Sequence, residues 1–544
     1  MLNPCKNKFL SIHTRLYESK NNRVASRLFR PRQETFAVPE VAPIIPPPGG
    51  HTLVRNIIWN LLGQGAPLLV ALLAIPLLIR GLGTERFGVL VLAWMVVGYF
   101  TLFDLGIGRA TTKYTSEYLA KKAFPELNRL IWTSLLILFA IGILGMVIIH
   151  RLAPYVVTRI LVIPATIQRE SIDAFGLLAF SLPIVVGTSA ARGILEAQQR
   201  FGTVNAIAIP AGVANYLLPL AAIHITNDLS LVVLFLVAGR TITWLLFLYF
   251  SLNSLPGLRV PRLPRISCAL QLFHFGGWVT VSSIIGPLMT YADRFIVGTV
   301  LTMSAVAYYA TPYDLVTKLG IIAPGVMGVL FPVLITSITL KQGDFWALHD
   351  RATKFILLAL APVVVCTLML AQLFLGLWLG AEFAANSRGV FQILSVGVLF
   401  NSLAVVPFTA IHAAGRADLS AKAHLIELPL YLLTLWFLVG RFGIEGVALA
   451  WLLRVVLDYV LMFSIARRLF AGELGAGHGL AAGILMYSAL FLSIAFLLSA
   501  IPYPAAWIPL GIFMAALAPY LVWRLILRPD DRTSLRKLCA VIIQ

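Results

Sequence analysis

The stretch LFHFGGWVTVSSIIGPLMTYADRFIVGTVLTMSAVAYYATPYDLVTKLGIIAPGVMGVLFPVLITS, Leu272 to Ser337, reads as two long apolar helices joined by a short turn. It carries Asp293, Arg294, Asp314 and Lys318 inside its hydrophobic runs. A charge near the centre of a bilayer-spanning helix costs about 2.5–3.5 kcal/mol on insertion scales, so such residues normally face a protein interior or a wet cavity. This hairpin is therefore expected to form one wall of a polar cavity.

The rest of the chain supports a membrane setting. Of 544 residues, 59% are hydrophobic and only 12% charged, and the mean hydropathy is +0.89. A soluble protein runs nearer one-quarter charged. About fourteen apolar runs, each near the roughly 20 residues needed to cross the hydrocarbon, are expected at 57–79, 87–108, 129–150, 172–190, 203–225, 229–250, 273–299, 306–337, 353–379, 389–411, 423–439, 443–465, 478–500 and 503–526. The predicted fold class is an all-α polytopic membrane protein.

The net charge of +19 does not indicate nucleic acid, because the basic residues recur between the spans instead of gathering on a soluble module. One set of connections holds only Arg80, Arg86, Arg151, Arg159, Arg169, Arg388 and Arg441, whereas the tails and the alternate connections hold most of the remainder. By the positive-inside rule both termini are expected to be cytoplasmic. Arg240, Arg294, Lys318 and Arg454 stand apart from both sets, within spans.

The expected organisation is a basic cytoplasmic tail over 1–55, a first lobe of helices 1–6 over 56–255, a second lobe of helices 7–12 over 256–470, helices 13–14 over 471–528 and a cytoplasmic tail over 529–544. The first tail ends in Pro-rich sequence that cannot bury a core; a start codon upstream of the true one would explain it equally well. No removable signal peptide is expected. A parallel repeat is suggested by Trp59 against Trp278, Leu82 against Leu301, and Arg240 against Arg454 at one depth of the sixth and twelfth runs. Six spans return the chain to its starting side, and transporters of parallel-repeat design place their site between the repeats.

Cys5, Cys268, Cys366 and Cys539 are scattered and are expected to be free thiols. His150, His224, His274, His412 and His424 show no paired ligand spacing, so no metal site is expected. No Walker loop or nucleophile elbow is present, and no cofactor or enzymatic chemistry is expected.

Asn56 to Ala120, with Leu82-Gly-Thr-Glu-Arg-Phe-Gly88, Phe103-Asp-Leu-Gly-Ile-Gly-Arg109 and Lys113-Tyr-Thr-Ser-Glu117, resembles the opening of the polysaccharide-transport family of the multidrug/oligosaccharidyl-lipid/polysaccharide exporter superfamily. Further stretches in the same order are Arg192–Phe201, Tyr291–Gly298, Val306–Ala310 and Gly443–Trp451. The resemblance implies a flippase that carries an undecaprenyl-pyrophosphate-linked oligosaccharide across a bacterial inner membrane. It would work by alternating access of two six-helix lobes around a cationic cavity, in O-antigen or exopolysaccharide biosynthesis. A drug or cation antiporter of the same superfamily is the alternative, and a membrane polysaccharide polymerase or ligase a more distant one, since the external connections are short. Polysaccharide-assembly proteins are implied as partners.

On that reading Arg240, Arg294, Lys318 and Arg454 are the candidates for holding the diphosphate, because an arginine fork fits phosphate oxygens and lysine acts as a point charge. Arg240 leads, having no acid one helical turn away. Lys318 has Asp314, and Arg454 has Asp458, at i,i+4 spacing, so structural ion pairs are the competing explanation. Asp293 and Asp314 could carry a coupled proton or sodium ion, with pairing to the neighbouring cations as the alternative. Asp104 and Arg109, where span two ends, are candidates for an inner gate, or for a solvated interface. Glu427 is expected to be a helix-end carboxylate facing the cytoplasm. Trp94, Tyr99, Trp244, Tyr291, Tyr308, Tyr309 and Tyr313 offer rings on which sugars could stack.

Overall fold

The computed structural model describes residues 50–255, 257–258, 260–327 and 345–470, together with positions 509, 513, 514, 516, 517 and 520. Every regular element among them is helical. In chain order these are α1 (Gly50–Leu82), α2 (Thr84–Phe100), α3 (Ile107–Ala120), α4 (Phe124–Tyr155), α5 (Ala165–Ala179), α6 (Ser181–Ala197), α7 (Phe201–Ile223), α8 (Leu229–Asn253), α9 (Ile266–Val300), α10 (Met303–Lys318), α11 (Phe345–Leu379), α12 (Ala381–Ala413) and α13 (Ala417–Leu469). Among the described residues, nine helices are long and apolar enough to cross a membrane. The chain is a multi-pass membrane protein.

The apolar runs from 57–79 to 443–465 fall on these helices, and several helices extend beyond them. The run at 129–150 becomes Phe124–Tyr155, because hydropathy senses only the hydrocarbon core while a helix continues into the interface. The run at 172–190 is two helices, α5 and α6, bent at Phe180. The second half of the 306–337 run, and nearly all of those at 478–500 and 503–526, lie outside the described residues, as does the tail before residue 50. Cys268 and Cys366 are free.

The runs at 423–439 and 443–465 form α13, which breaks at Gly443 with φ 56 and ψ −137. That backbone conformation suits glycine. The chain folds back there, since His424 before the break lies 3.3 Å from Asp458 after it. A Cβ on Gly446 would strike the Leu438 carbonyl, so a second glycine is needed for the two limbs to meet.

Prolines inside the helices leave carbonyls that must find other donors. Pro76 removes the amide due to the Leu72 carbonyl, and the indole Nε1 of Trp378 on α11 donates to it instead at 2.7 Å. Pro312 does the same to Tyr308, whose carbonyl accepts the Ser387 hydroxyl of α12 at 2.9 Å. Each proline thus becomes a polar tie between helices far apart in sequence. Trp378→Phe is expected to cost about 1 kcal/mol, the net worth of one such bond, read from the unfolding midpoint of the detergent-solubilised protein. A loss as small as that of an exposed Trp436→Phe control would contradict the tie.

One end of the bundle is closed by side-chain clasps. Arg86 at the start of α2 donates to Glu170 of α5 at 2.8 Å, and the other Glu170 oxygen accepts the Leu229 amide that begins α8 at 3.2 Å. The Tyr308 hydroxyl donates to Glu382 of α12 at 2.9 Å, and the Val162 amide donates to the Gly298 carbonyl at 2.9 Å. Here α2 and α10 meet backbone to backbone, for a Cβ on Gly88 would collide with the Met303 carbonyl. Gly88→Val is expected to destabilise by about 1–3 kcal/mol, as overpacking does, with the same unfolding midpoint as its measure. At the opposite end, Asn128 and Trp132 of α4 bind the carbonyls of Gly257 and Leu258, pinning the segment that leads to α9.

Candidate functional site

Helices α1, α2, α6, α7 and α8 enclose a cavity of about 480 Å³, lined among others by Pro67, Trp94, Thr188, Asn215, Tyr216 and Arg240. A second, of about 70 Å³, is lined by Asp314, Lys318, Thr311 and Trp378. Pro67, Trp94 and Tyr216 line both, so the two hollows share a wall. The larger is within the 300–1,000 Å³ typical of ligand pockets.

Arg240 supplies the charge of the larger cavity. One of its terminal nitrogens donates to the Asn215 side-chain oxygen at 3.3 Å, while the other is buried without a partner. No acid of the described residues pairs with it. Nearby, Trp94 and Tyr216 meet edge to face with centroids 5.4 Å apart, and the Trp94 Nε1 also lacks a partner. Pro219 removes the amide due to the Asn215 carbonyl, so that turn carries an acceptor its own helix cannot satisfy. The arrangement offers an under-used guanidinium, an orphan indole donor and apolar ring surface in one hollow. That set of groups suits an anion attached to a ring-bearing or sugar-like body.

Lys318 is exposed beside the second hollow and makes no ion pair among the described residues. Asp314, expected to pair with it at i,i+4, instead pairs with Arg294, because the α9–α10 hairpin brings the two helices side by side. Arg294 lies over the Tyr313 ring at 4.4 Å and the Tyr291 ring at 5.7 Å. Asp293 is 0% exposed; it accepts the Tyr309 hydroxyl at 2.6 Å and the Arg294 amide at 2.7 Å. Asp293 and Arg294 are held in a buried network, and neither lines the two cavities.

Arg454 is also absent from both linings. Its guanidinium lies 5.5 Å from the Tyr431 ring, and its Nε is buried without a partner. Asp458, its expected partner, pairs with His424. The structure thus brings Arg240 and Lys318 to neighbouring hollows and leaves Arg294 and Arg454 elsewhere. Asp104 accepts the Gly108 amide at 2.7 Å, capping α3, and Arg109 is exposed.

Among the expected aromatics, Trp94 alone lines the larger cavity; Tyr99 packs on Tyr291 at 5.5 Å, and Tyr313 on Trp451 at 5.5 Å. Asn215 and Tyr216 are not among the candidates that charge and spacing single out in the sequence. Their signal was an amide and a phenol within an otherwise apolar run, three to four residues before Pro219. Glu427, expected at a solvated helix end, is 1% exposed, because the second limb of α13 covers it.

A bundle of bilayer-length helices around a largely apolar cavity that holds an unsatisfied cation is the build of a membrane transporter. Solved structures agree on the fold. An inward-facing multidrug resistance MATE transporter of the MOP superfamily superposes with a TM-score of 0.63 at 14% identity, covering 76% of this chain and 98% of its own. The lipid II flippase MurJ in an inward closed conformation gives 0.62 at 14% identity, covering 86% and 98%. Residues 53–337 match the family described as polysaccharide biosynthesis protein. A putative O-antigen transporter of Shigella flexneri is 32% identical over 412 residues, 76% of this chain and 97% of that protein. A probable low-salt glycan biosynthesis flippase, Agl15, of Haloferax volcanii is 27% identical over 199 residues, 36% of this chain and 42% of its own. The chain belongs to the polysaccharide biosynthesis protein family.

Proposed function

We propose that the protein is a flippase that moves a lipid-linked oligosaccharide, joined through a diphosphate to undecaprenol, across the bacterial inner membrane. The observation that carries this reading is the Arg240 nitrogen left without a partner in the cavity it shares with Trp94, Asn215 and Tyr216. A buried donor without a partner costs roughly 1–3 kcal/mol, and a phosphate oxygen would relieve that cost. The volume of about 480 Å³ admits a diphosphate and the first sugars but not a polyprenyl chain, which would remain in the bilayer.

Lys318 stands at the adjoining hollow as a second, mobile cation for the same headgroup. Alternation of two six-helix lobes, 56–255 and 256–470, would expose the cavity to each side in turn, with both termini cytoplasmic. Asp104 and Arg109 would lie at the inner mouth. The relatives named as an O-antigen transporter and a glycan flippase support this assignment of cargo.

The test is a leaflet-resolved assay in proteoliposomes carrying a fluorescent undecaprenyl-diphosphate oligosaccharide. Wild-type protein is expected to expose the label to an external quencher far faster than empty vesicles do. Export of a cationic dye with no movement of the lipid-linked glycan would replace this reading with an antiporter. Lengthening of the glycan would point to a polymerase.

A further inference from the structure

The two limbs of α13 bring His424, Glu427 and Asp458 together, with one ligand atom from each lying within 4.8 Å of the others. His424 and Glu427 share one helical face at i,i+3, and the reversal at Gly443 carries Asp458 back to them. His424 Nε2 stands 3.3 Å from an Asp458 oxygen. Glu427 is 1% exposed, and neither of its oxygens has a hydrogen-bond partner. The Asp458 oxygen that faces His424 likewise accepts no well-formed hydrogen bond. A buried carboxylate with two idle acceptors facing another carboxylate calls for a bound cation.

We propose that His424, Glu427 and Asp458 form an exchangeable site for a single proton. The charge count selects a monovalent occupant. Glu427 and Asp458 contribute two negative charges and Arg454, one turn before Asp458, one positive charge, so one proton brings the group to neutrality while a divalent ion would leave an excess in a low-dielectric interior. A proton also has a structural effect that a sodium ion lacks. Placed on Glu427, it turns two facing acceptors into a donor and an acceptor, satisfying an oxygen on each carboxylate.

Access follows the gradient of exposure. The side chain of His424 is 30% exposed and that of Asp458 16%, whereas Glu427 is enclosed. A proton from water adds to His424 Nδ1 as Nε2 gives up its own to the Asp458–Glu427 pair, and the reverse sequence releases it; no electrons move. Among the described residues, the Tyr431 phenol lies one turn after Glu427 on the same limb, with its ring 5.5 Å from the Arg454 guanidinium. Arg454 and the His412 ring of α12 are the site's electrostatic neighbours, and His412 itself meets the Ser420 hydroxyl at 2.9 Å. Asp293 of α9 also interacts electrostatically with Arg454, and Asp350 of α11 with Tyr459.

Proton binding stands independently of the cargo; its use to drive transport rests on the flippase reading above. The test is charge displacement on a solid-supported membrane bearing the full chain, with no lipid-linked substrate present. A pH jump in sodium-free buffer is expected to give a transient that Glu427→Gln and Asp458→Asn lose and that Glu117→Gln, at an exposed carboxylate paired with Lys121, keeps. His424→Asn is expected to slow the transient while preserving its total charge, which separates a relay from a merely structural histidine. Gel filtration of each variant shows whether it is folded. Where Glu427→Gln does not fold, Asp458→Asn and His424→Asn carry the decision. A wild-type transient in a folded Asp458→Asn variant would overturn the proposal, as would a response to Na⁺ or Mn²⁺ jumps at constant pH with none to pH. Because no glycan is needed, failure of the flipping assay and failure of the proton site remain distinguishable.

Discussion

Arg240→Ala is expected to slow movement of the lipid-linked oligosaccharide by about 10–100-fold, since a hydrogen bond from a charged group contributes roughly 1.5–3 kcal/mol and each 1.4 kcal/mol is a factor of ten. The effect should be large because Asn215 is the single neutral partner that the structure gives this guanidinium, leaving the other terminal nitrogen for cargo. Arg240→Lys keeps the charge but loses the fork, and should fall between wild type and alanine. Asn215→Ala should do less, because it removes an orienting contact and leaves the charge in place. Initial rates from the leaflet-resolved assay measure all three. An Arg240→Ala variant that transports at the wild-type rate would remove the diphosphate from this cavity.

Arg294→Ala should act on folding instead. Asp293 is wholly enclosed, and the Arg294 guanidinium bridges to Asp314 beneath the Tyr313 and Tyr291 rings. Asp314 is half exposed and water can take the place of its lost partner, but Asp293 stays enclosed without its neighbouring cation, so a cost of about 1–3 kcal/mol is expected. The prediction is a loss of that size in equilibrium unfolding of the detergent-solubilised protein. Adding Asp293→Asn to the same chain should restore part of it, by removing a carboxylate that has lost its neighbouring cation. If Arg294→Ala costs no more than the substitution of exposed Lys318, the network is not what holds α9 to α10.

These two arginines illustrate how far the charges could be read in advance. Both stand out in the sequence for the same reason, a guanidinium inside an apolar run, and both were candidates for holding the diphosphate. Their environments differ because α8 turns Arg240 toward a cavity whose polar wall is an amide, while α9 turns Arg294 into a nest of phenols and carboxylates. Spacing along one helix suggested Asp314 for Lys318 and Asp458 for Arg454. In each case a residue from a neighbouring segment took the acid instead: Arg294 in the first, His424 in the second. An i,i+4 pair on a helix surface is worth only a few tenths of a kcal/mol, so a better-placed partner across a helix interface displaces it.

The proline-freed carbonyls divide in the same way. Pro76 and Pro312 announce that Leu72 and Tyr308 will each have an idle oxygen, but nothing near them in the chain names Trp378 or Ser387 as the donor. Glu427 shows the cost of reading position alone. Counted from the start of its apolar run it stands close to water, yet the fold of α13 about Gly443 lays the second limb across it.

Helix identity, membrane residence and the presence of buried charge were written in the order of residues, since an apolar run of bilayer length must satisfy its backbone within itself. Which charges meet, which carbonyl is repaired by which side chain, and which cation is left with a free donor depended on the rotation and neighbours of each helix. Those are relations between segments that can stand hundreds of residues apart, and the local periodicity of any one helix carries no record of them.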